Sequence, residues 1–70
     1  MEDPEPPDST AWGRRLAGLP AVQRRAVVLR HVVGLDYDEI AHATGRAAGT
    51  VKSDVHRGLT RLRDIMERET

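Results

Sequence analysis

The sequence predicts an all-α fold: a small four-helix domain whose last two helices form a helix-turn-helix. Three observations point there. First, the stretch from Asp36 to Arg63, DYDEIAHATGRAAGTVKSDVHRGLTRLR, reads as a short capped helix, a turn containing Gly45 and a longer helix. Second, with residues placed 100° apart, Val51, Val55, Leu59, Leu62 and Met66 fall on one stripe of that longer helix, with Gly58 and Ile65 at its edge. Third, Pro20 and Gly34 bracket another periodic apolar segment, and Trp12, Leu16 and Leu19 recur at i, i+4 and i+7 before it.

Taken in order, the chain begins MEDPEPPD. Three prolines and four acids in these eight residues leave nothing to bury, so 1–8 reads as a disordered linker and 9–70 as the domain. As an alternative, the acids can serve as a decoy that competes with DNA for a basic face. Ser9 or Thr10 caps a first helix running to about Gly18, with Trp12 as its core anchor; Gly13 and Gly18 weaken it. Pro20 fits the first position of the second helix, where its missing N–H needs no partner. Val22, Ala26, Leu29 and Val33 form the inner stripe of that helix, with Val32 beside it. Arg24, Arg25, Arg30 and His31 lie elsewhere on its surface, the arginines within reach of phosphates. Gly34 ends the helix and Leu35 drops into the core. Asp36 and Glu39 make a capping box for the third helix, Tyr37 to Thr44, whose apolar side is Ile40 and Ala41. Gly45 supplies the positive φ that closes it, and the fourth helix runs from about Ala48 to Arg68.

Opposite its apolar stripe, the fourth helix carries Ser53, His56, Arg57 and Thr60. Lys52 and Arg63 flank them on one side, Thr50 and Arg61 on the other. Hydroxyls, an imidazole and cations on one face suit a major groove, where donors meet base edges and phosphates. A solvated helix face has a similar composition, so the face by itself leaves both readings open. Charge distribution favours a polyanion. The whole chain holds 11 basic and 11 acidic groups, but residues 1–10 hold four acids and no base. Within 46–63, Arg46, Lys52, Arg57, Arg61 and Arg63 face only Asp54, a local excess of +4.

The totals exclude other classes. Seventy residues make one domain, with a net stability of about 3–5 kcal/mol and no room for a substrate cleft with its supporting shell. Without cysteine there is neither a disulfide framework nor a thiolate metal site. No apolar run approaches the roughly 20 residues that span a bilayer, and no signal peptide is visible, so the expected compartment is the cytoplasm. His31, His42 and His56 do not have the i, i+4 spacing of a helical metal pair. Asp36, Asp38 and Glu39 complement a helix dipole; Ala41 stands where a calcium loop needs glycine. The serines and threonines lack an evident base partner. No enzyme, cofactor or metal is expected.

Several strings together resemble domain 4 of a bacterial RNA polymerase sigma factor of the extracytoplasmic-function type. They are LPAVQRRAVVLRHVVGLDYDEIA, the turn TGR, and GTVKSDVHRGLTRLR, covering about residues 10–66. The resemblance implies that the domain reads the −35 promoter element in the major groove and docks on the flap of the polymerase β subunit. It also implies that an anti-sigma factor can mask it. Carried over by position, Lys52, Ser53, His56 and Arg57 face the groove, with Thr50 near the helix start. Arg46, Thr60 and Arg61 complete the expected DNA-binding set.

Two positions depart from the pattern. Asp54 stands where the family often has a basic or neutral polar residue; it is expected on the flank, paired with Arg57 or Arg61. Facing DNA instead, it would accept from a cytosine amino group or repel phosphate. Ala47 replaces the usual Ser or Pro, a weaker cap by about 1 kcal/mol. Nothing in the chain corresponds to the domain that opens the −10 element, so it reads as a fragment or a stand-alone domain. Two other functions compete. One is an interaction module held by an anti-sigma factor or the flap without DNA binding. The other is a response-regulator effector domain, which usually dimerises through a helix after the recognition helix. The chain ends about where the recognition helix does, which disfavours that reading; a monomer is expected.

Overall fold

The computed structural model describes residues 11–69. The expected linker 1–8 and the caps Ser9 and Thr10 lie outside them. Among the described residues every regular element is helical: α1 (Ala11–Ala17), α2 (Ala21–Val27, continuing as the π-helical Val28–Val33), α3 (Tyr37–Thr44) and α4 (Ala48–Arg68). The predicted all-α class and the helix-turn-helix of α3 and α4 are both present.

The local signals act largely as the residue types require. Asp36 accepts from the Glu39 backbone N–H at 2.7 Å, and the Glu39 carboxylate accepts from the Asp36 N–H at 3.0 Å. This box satisfies two donors that the first turn of α3 leaves without partners. Gly34 at φ 92° and Gly45 at φ 71° stop α2 and α3 in the left-handed region that other residues avoid. Past Gly34, the Leu35 N–H donates back to the Leu29 carbonyl at 2.9 Å, closing the end of α2. Pro20 sits one position earlier than expected, as the residue flanking α2 rather than its first helical residue.

α4 runs under everything else and packs most extensively on α2. One core cluster joins Ala26, Ile40, Val51 and Val55; a second joins Leu19, Val27 and Leu62. Leu59 packs against both, so α4 links the two clusters. Close approach of α2 depends on Gly58. A Cβ there would stand 2.6 Å from Val27 Cγ2 and 3.3 Å from the Gln23 carbonyl oxygen.

That approach corrects the expected stripe of α2. Ala26 is buried and Leu29 packs half-buried against its cluster as expected, but the other buried residue is Val27, while Val22 and Val33 are exposed. The residues turned to Gly58 are Gln23 and Val27, one step from the Val22 phase. The π-wound segment then adds a residue to its turns, which rotates Val32 and Val33 off the 100° progression and into solvent. Arg30 is corrected too: it is half-buried rather than outward. It donates to the Leu35 carbonyl at 3.1 Å and lies 5.1 Å from the Tyr37 ring centroid, bracing the α2–α3 corner.

Trp12 is not a core anchor. It is 53% exposed, while Leu19 at the end of the same stripe is buried. Arg15 lies over the Trp12 ring and donates to both carboxylate oxygens of Glu69, at 2.8 and 3.0 Å. α1 is therefore tied to the far end of α4. Met66, expected on the inner stripe, is exposed at its rim.

Candidate nucleic-acid interface

α4 is amphipathic in the sense its spacing predicts. Val51, Val55, Gly58 and Leu62 are buried. Thr50, Lys52, Ser53, His56, Arg57, Thr60, Arg61 and Arg63 are exposed. The span from Thr50 to Arg57 covers about 10 Å of helix axis, a length that fits across a major groove roughly 12 Å wide. Neither His56 nor Arg57 lies under a neighbouring helix, and neither Val55 nor Leu62 is in solvent.

Two hydroxyls on this face, those of Ser53 and Thr60, have partners within the helix. Ser53 Oγ donates to the Gly49 carbonyl at 3.2 Å, and Thr60 Oγ1 donates to the His56 carbonyl at 3.0 Å. Such back-bonds leave the lone pairs of each hydroxyl outward and can be exchanged by rotation. Arg61 Nε donates to the Gly18 carbonyl at a long 3.4 Å, so Arg61 leans toward the end of α1. Lys52 borders a shallow cleft with Asp36, Tyr37 and Asp38, where the acidic start of α3 meets the start of α4. Ala47 makes no side-chain cap, as its residue type implies, so the first turn of α4 has no side-chain acceptor from that position.

Arg46 and Asp54 stand apart from this set. Asp54 is only 6% exposed. Its Oδ2 accepts from Arg46 Nε at 3.1 Å and lies 3.1 Å from an Arg46 terminal nitrogen. The expected flank position and the pairing with Arg57 or Arg61 are thus corrected. Spacing alone could have located it: Asp54 is three residues after Val51 and four before Gly58, on the buried stripe. The partner was harder to see, because Arg46 lies in the turn, outside any helical projection.

A second surface lies away from the polar face. Trp12, Leu16, Val27, His31, Val32, Leu59 and Leu62 line an apolar groove of about 410 Å³. A neighbouring hollow of about 540 Å³ shares Leu59 and Leu62 and extends to Met66. Trp12, expected as a core anchor, and Val32, expected beside the inner stripe, instead form part of this groove. Among the described residues no three His, Asp or Glu side chains converge as metal ligands, and no helix is long and apolar enough to cross a membrane.

The chain is 53% identical over 45 residues to an RNA polymerase sigma-E factor of Streptomyces avermitilis, covering 64% of this chain and 25% of that protein. It is 44% identical over 55 residues to the ECF RNA polymerase sigma factor SigE of Mycolicibacterium smegmatis, covering 79% and 21%. With the ECF RNA polymerase sigma factor ShbA of Streptomyces griseus it shares 43% identity over 58 residues, covering 81% and 30%. The chain therefore spans between a fifth and a third of the length of these relatives. Residues 9–62 match the family described as Sigma-70, region 4, a stretch that includes α3, the Gly45 turn and α4 as far as Leu62. The chain belongs to the sigma-70 region 4 family.

Proposed function

We propose that this chain binds promoter DNA at the −35 element, with α4 in the major groove, as the DNA-reading domain of an RNA polymerase sigma factor. The observation that supports this most is the division of α4: its apolar stripe is buried while Ser53, His56 and Arg57 stand together in solvent. Arg57 has the fork that fits the O6 and N7 acceptors of guanine, and Ser53 and His56 can donate or accept at neighbouring base edges. Lys52, Arg61 and Arg63 on the flanks neutralise phosphates and set the register. α3 lies across the backbone, and the uncapped first turn of α4 turns its N–H groups toward phosphate. The task is recognition, carried out beside polymerase in the cytoplasm, with no cofactor.

The test begins with selection from a random duplex pool with polymerase core present. Arg57→Ala is expected to weaken the selected duplex by about 1–3 kcal/mol and to relax preference at one base position. Equal losses on selected and scrambled duplexes for the Arg57, Ser53 and His56 variants would count against base reading.

A second role is compatible with the first. The groove of Trp12, Leu16, Val32, Leu59 and Leu62 is suited to an apolar helix, and docking on the polymerase β flap is our reading of it. An anti-sigma factor is the competing occupant of the same surface. The domain acts as a monomer on this reading, held in place by polymerase rather than by a second copy.

A further inference from the structure

We infer that Arg46 is a positioning residue for the recognition helix: its ion pair with buried Asp54 pins α4 at the rotation that presents Ser53 and Arg57 to DNA. The inference rests on the DNA-reading role proposed above and assigns to the pair a part in it beyond that of a surface contact.

The geometry is specific. Two nitrogens of the Arg46 guanidinium approach a single oxygen, Asp54 Oδ2, each at 3.1 Å. The carboxylate side chain is 8% exposed and that of Arg46 36%. The pair reaches from the turn after Gly45 to the second turn of α4, eight residues along the chain. Ala47 provides no side-chain cap at the start of that helix, and Arg46, a donor only, does not replace one; its side chain ties the turn to the Asp54 carboxylate instead. Asp54 immediately follows Ser53 and lies three residues before Arg57. With Asp54 held inward beside Val51 and Val55, Ser53 and Arg57 are carried outward by the helical progression.

Charge makes the pin selective. A buried carboxylate without its partner is costly, so losing Arg46 penalises the rotation of α4 that buries Asp54 beside Val51 and Val55. Arg46 therefore contributes to discrimination between sequences, not to the phosphate term that all sequences share. Neutralising Asp54 acts in the opposite sense on the cation: it frees Arg46 to bind any duplex.

The experiment measures binding of the 70-residue chain to two probes, the duplex selected by the wild type and a scrambled duplex of equal length, across a salt series. Far-UV circular dichroism sets a temperature at which each variant is folded. Arg46→Ala is expected to lower the ratio of selected to scrambled affinity about tenfold or more, with the salt slope unchanged. Asp54→Asn, which leaves no buried charge and so keeps the fold, is expected to lower the same ratio at least about threefold, chiefly by tightening the scrambled duplex. The double variant is expected to lose no more discrimination than Arg46→Ala alone, since both changes break one interaction. If Arg46→Ala fails to fold, Asp54→Asn and Arg46→Lys decide; Lys keeps the charge and is expected to retain most of the discrimination.

The inference is overturned if Arg46→Ala weakens both duplexes equally and makes the salt slope shallower by about 0.9, the signature of one lost phosphate contact. It is overturned equally if Asp54→Asn leaves the ratio unchanged, or if the losses of the two single variants multiply. A wild-type chain that holds both duplexes alike would overturn the DNA-reading role and the pin together. Wild-type discrimination that survives in every variant would overturn the pin alone.

Discussion

Asp54 and Gly58 show how single positions on one stripe set the domain. Asp54 stands among Val51, Val55 and Gly58, where an unpaired charge would be intolerable, and only the reach of Arg46 makes it tolerable. Gly58 is the other critical residue. A methyl group there would meet Val27 Cγ2 at 2.6 Å, and Val27 is β-branched and stiff, so it has little freedom to turn away. Gly58→Ala is expected to destabilise the domain by about 1–3 kcal/mol, despite the better helix propensity of alanine. A lower urea midpoint at unchanged m-value is the readout. A gain in stability would mean that α2 and α4 separate at no cost. Lys52, His56 and Arg57 were legible from spacing because exposure on a regular helix follows from the positions of its apolar residues. The pairing of Arg46 with Asp54 was not, since a turn residue has no phase.

At the scale of elements, the helix ends differ in how they are held. α3 has a full capping box and α2 closes through the Leu35 bond past Gly34, while α4 starts without a side-chain cap. The far end of α4 is tied to α1 by Arg15 and Glu69. The hydrogen bonds from Arg15 hold the Glu69 carboxyl below its ordinary range. The sign follows: a carboxyl with a depressed folded value stabilises above its unfolded value, and that contribution is lost as pH falls through the folded one. Acidification below the ordinary carboxylate range is therefore expected to loosen α1 from α4 before the α2–α4 core yields. Amide exchange that rises first in 11–17 and around Glu69 would show this; Glu69→Gln should remove the pH dependence there. The exposed pair makes the effect small.

On the scale of the whole molecule, the described residues form a thin body of 39 × 32 × 16 Å. So thin a domain cannot cover all its apolar surface, and Trp12, Val32, Val33 and Met66 remain exposed. The groove lined by Trp12 and Val32 fits a partner better than it fits solvent. Trp12→Ala is expected to cost under about 1 kcal/mol of stability, as an exposed substitution should, yet to weaken binding of a β flap peptide markedly. Quenching of Trp12 fluorescence by iodide should fall when the flap binds. Unchanged flap affinity in Trp12→Ala would remove the groove from that role. DNA binding should weaken steeply with salt: if Lys52, Arg61 and Arg63 each neutralise one phosphate, the logarithmic slope is about −2.7. A slope near zero would mean that the basic face does not meet the duplex.

The helix-turn-helix, its caps and the outward face of α4 could be read from the sequence because each depends on neighbours within a turn or two. Asp36 meets Glu39, Gly45 follows Thr44, and Val51, Val55 and Leu62 share a phase. The buried face of α2, the exposure of Trp12 and the partner of Asp54 could not. Gly58 admits Val27 where Val22 was expected, Trp12 lies under Arg15, which Glu69 at the far end of α4 holds, and Arg46 reaches across from the turn; within α2 the π-wound turn carries Val32 and Val33 outward. Local hydrogen bonds and periodicity act along the chain, whereas burial is settled only where two helices touch.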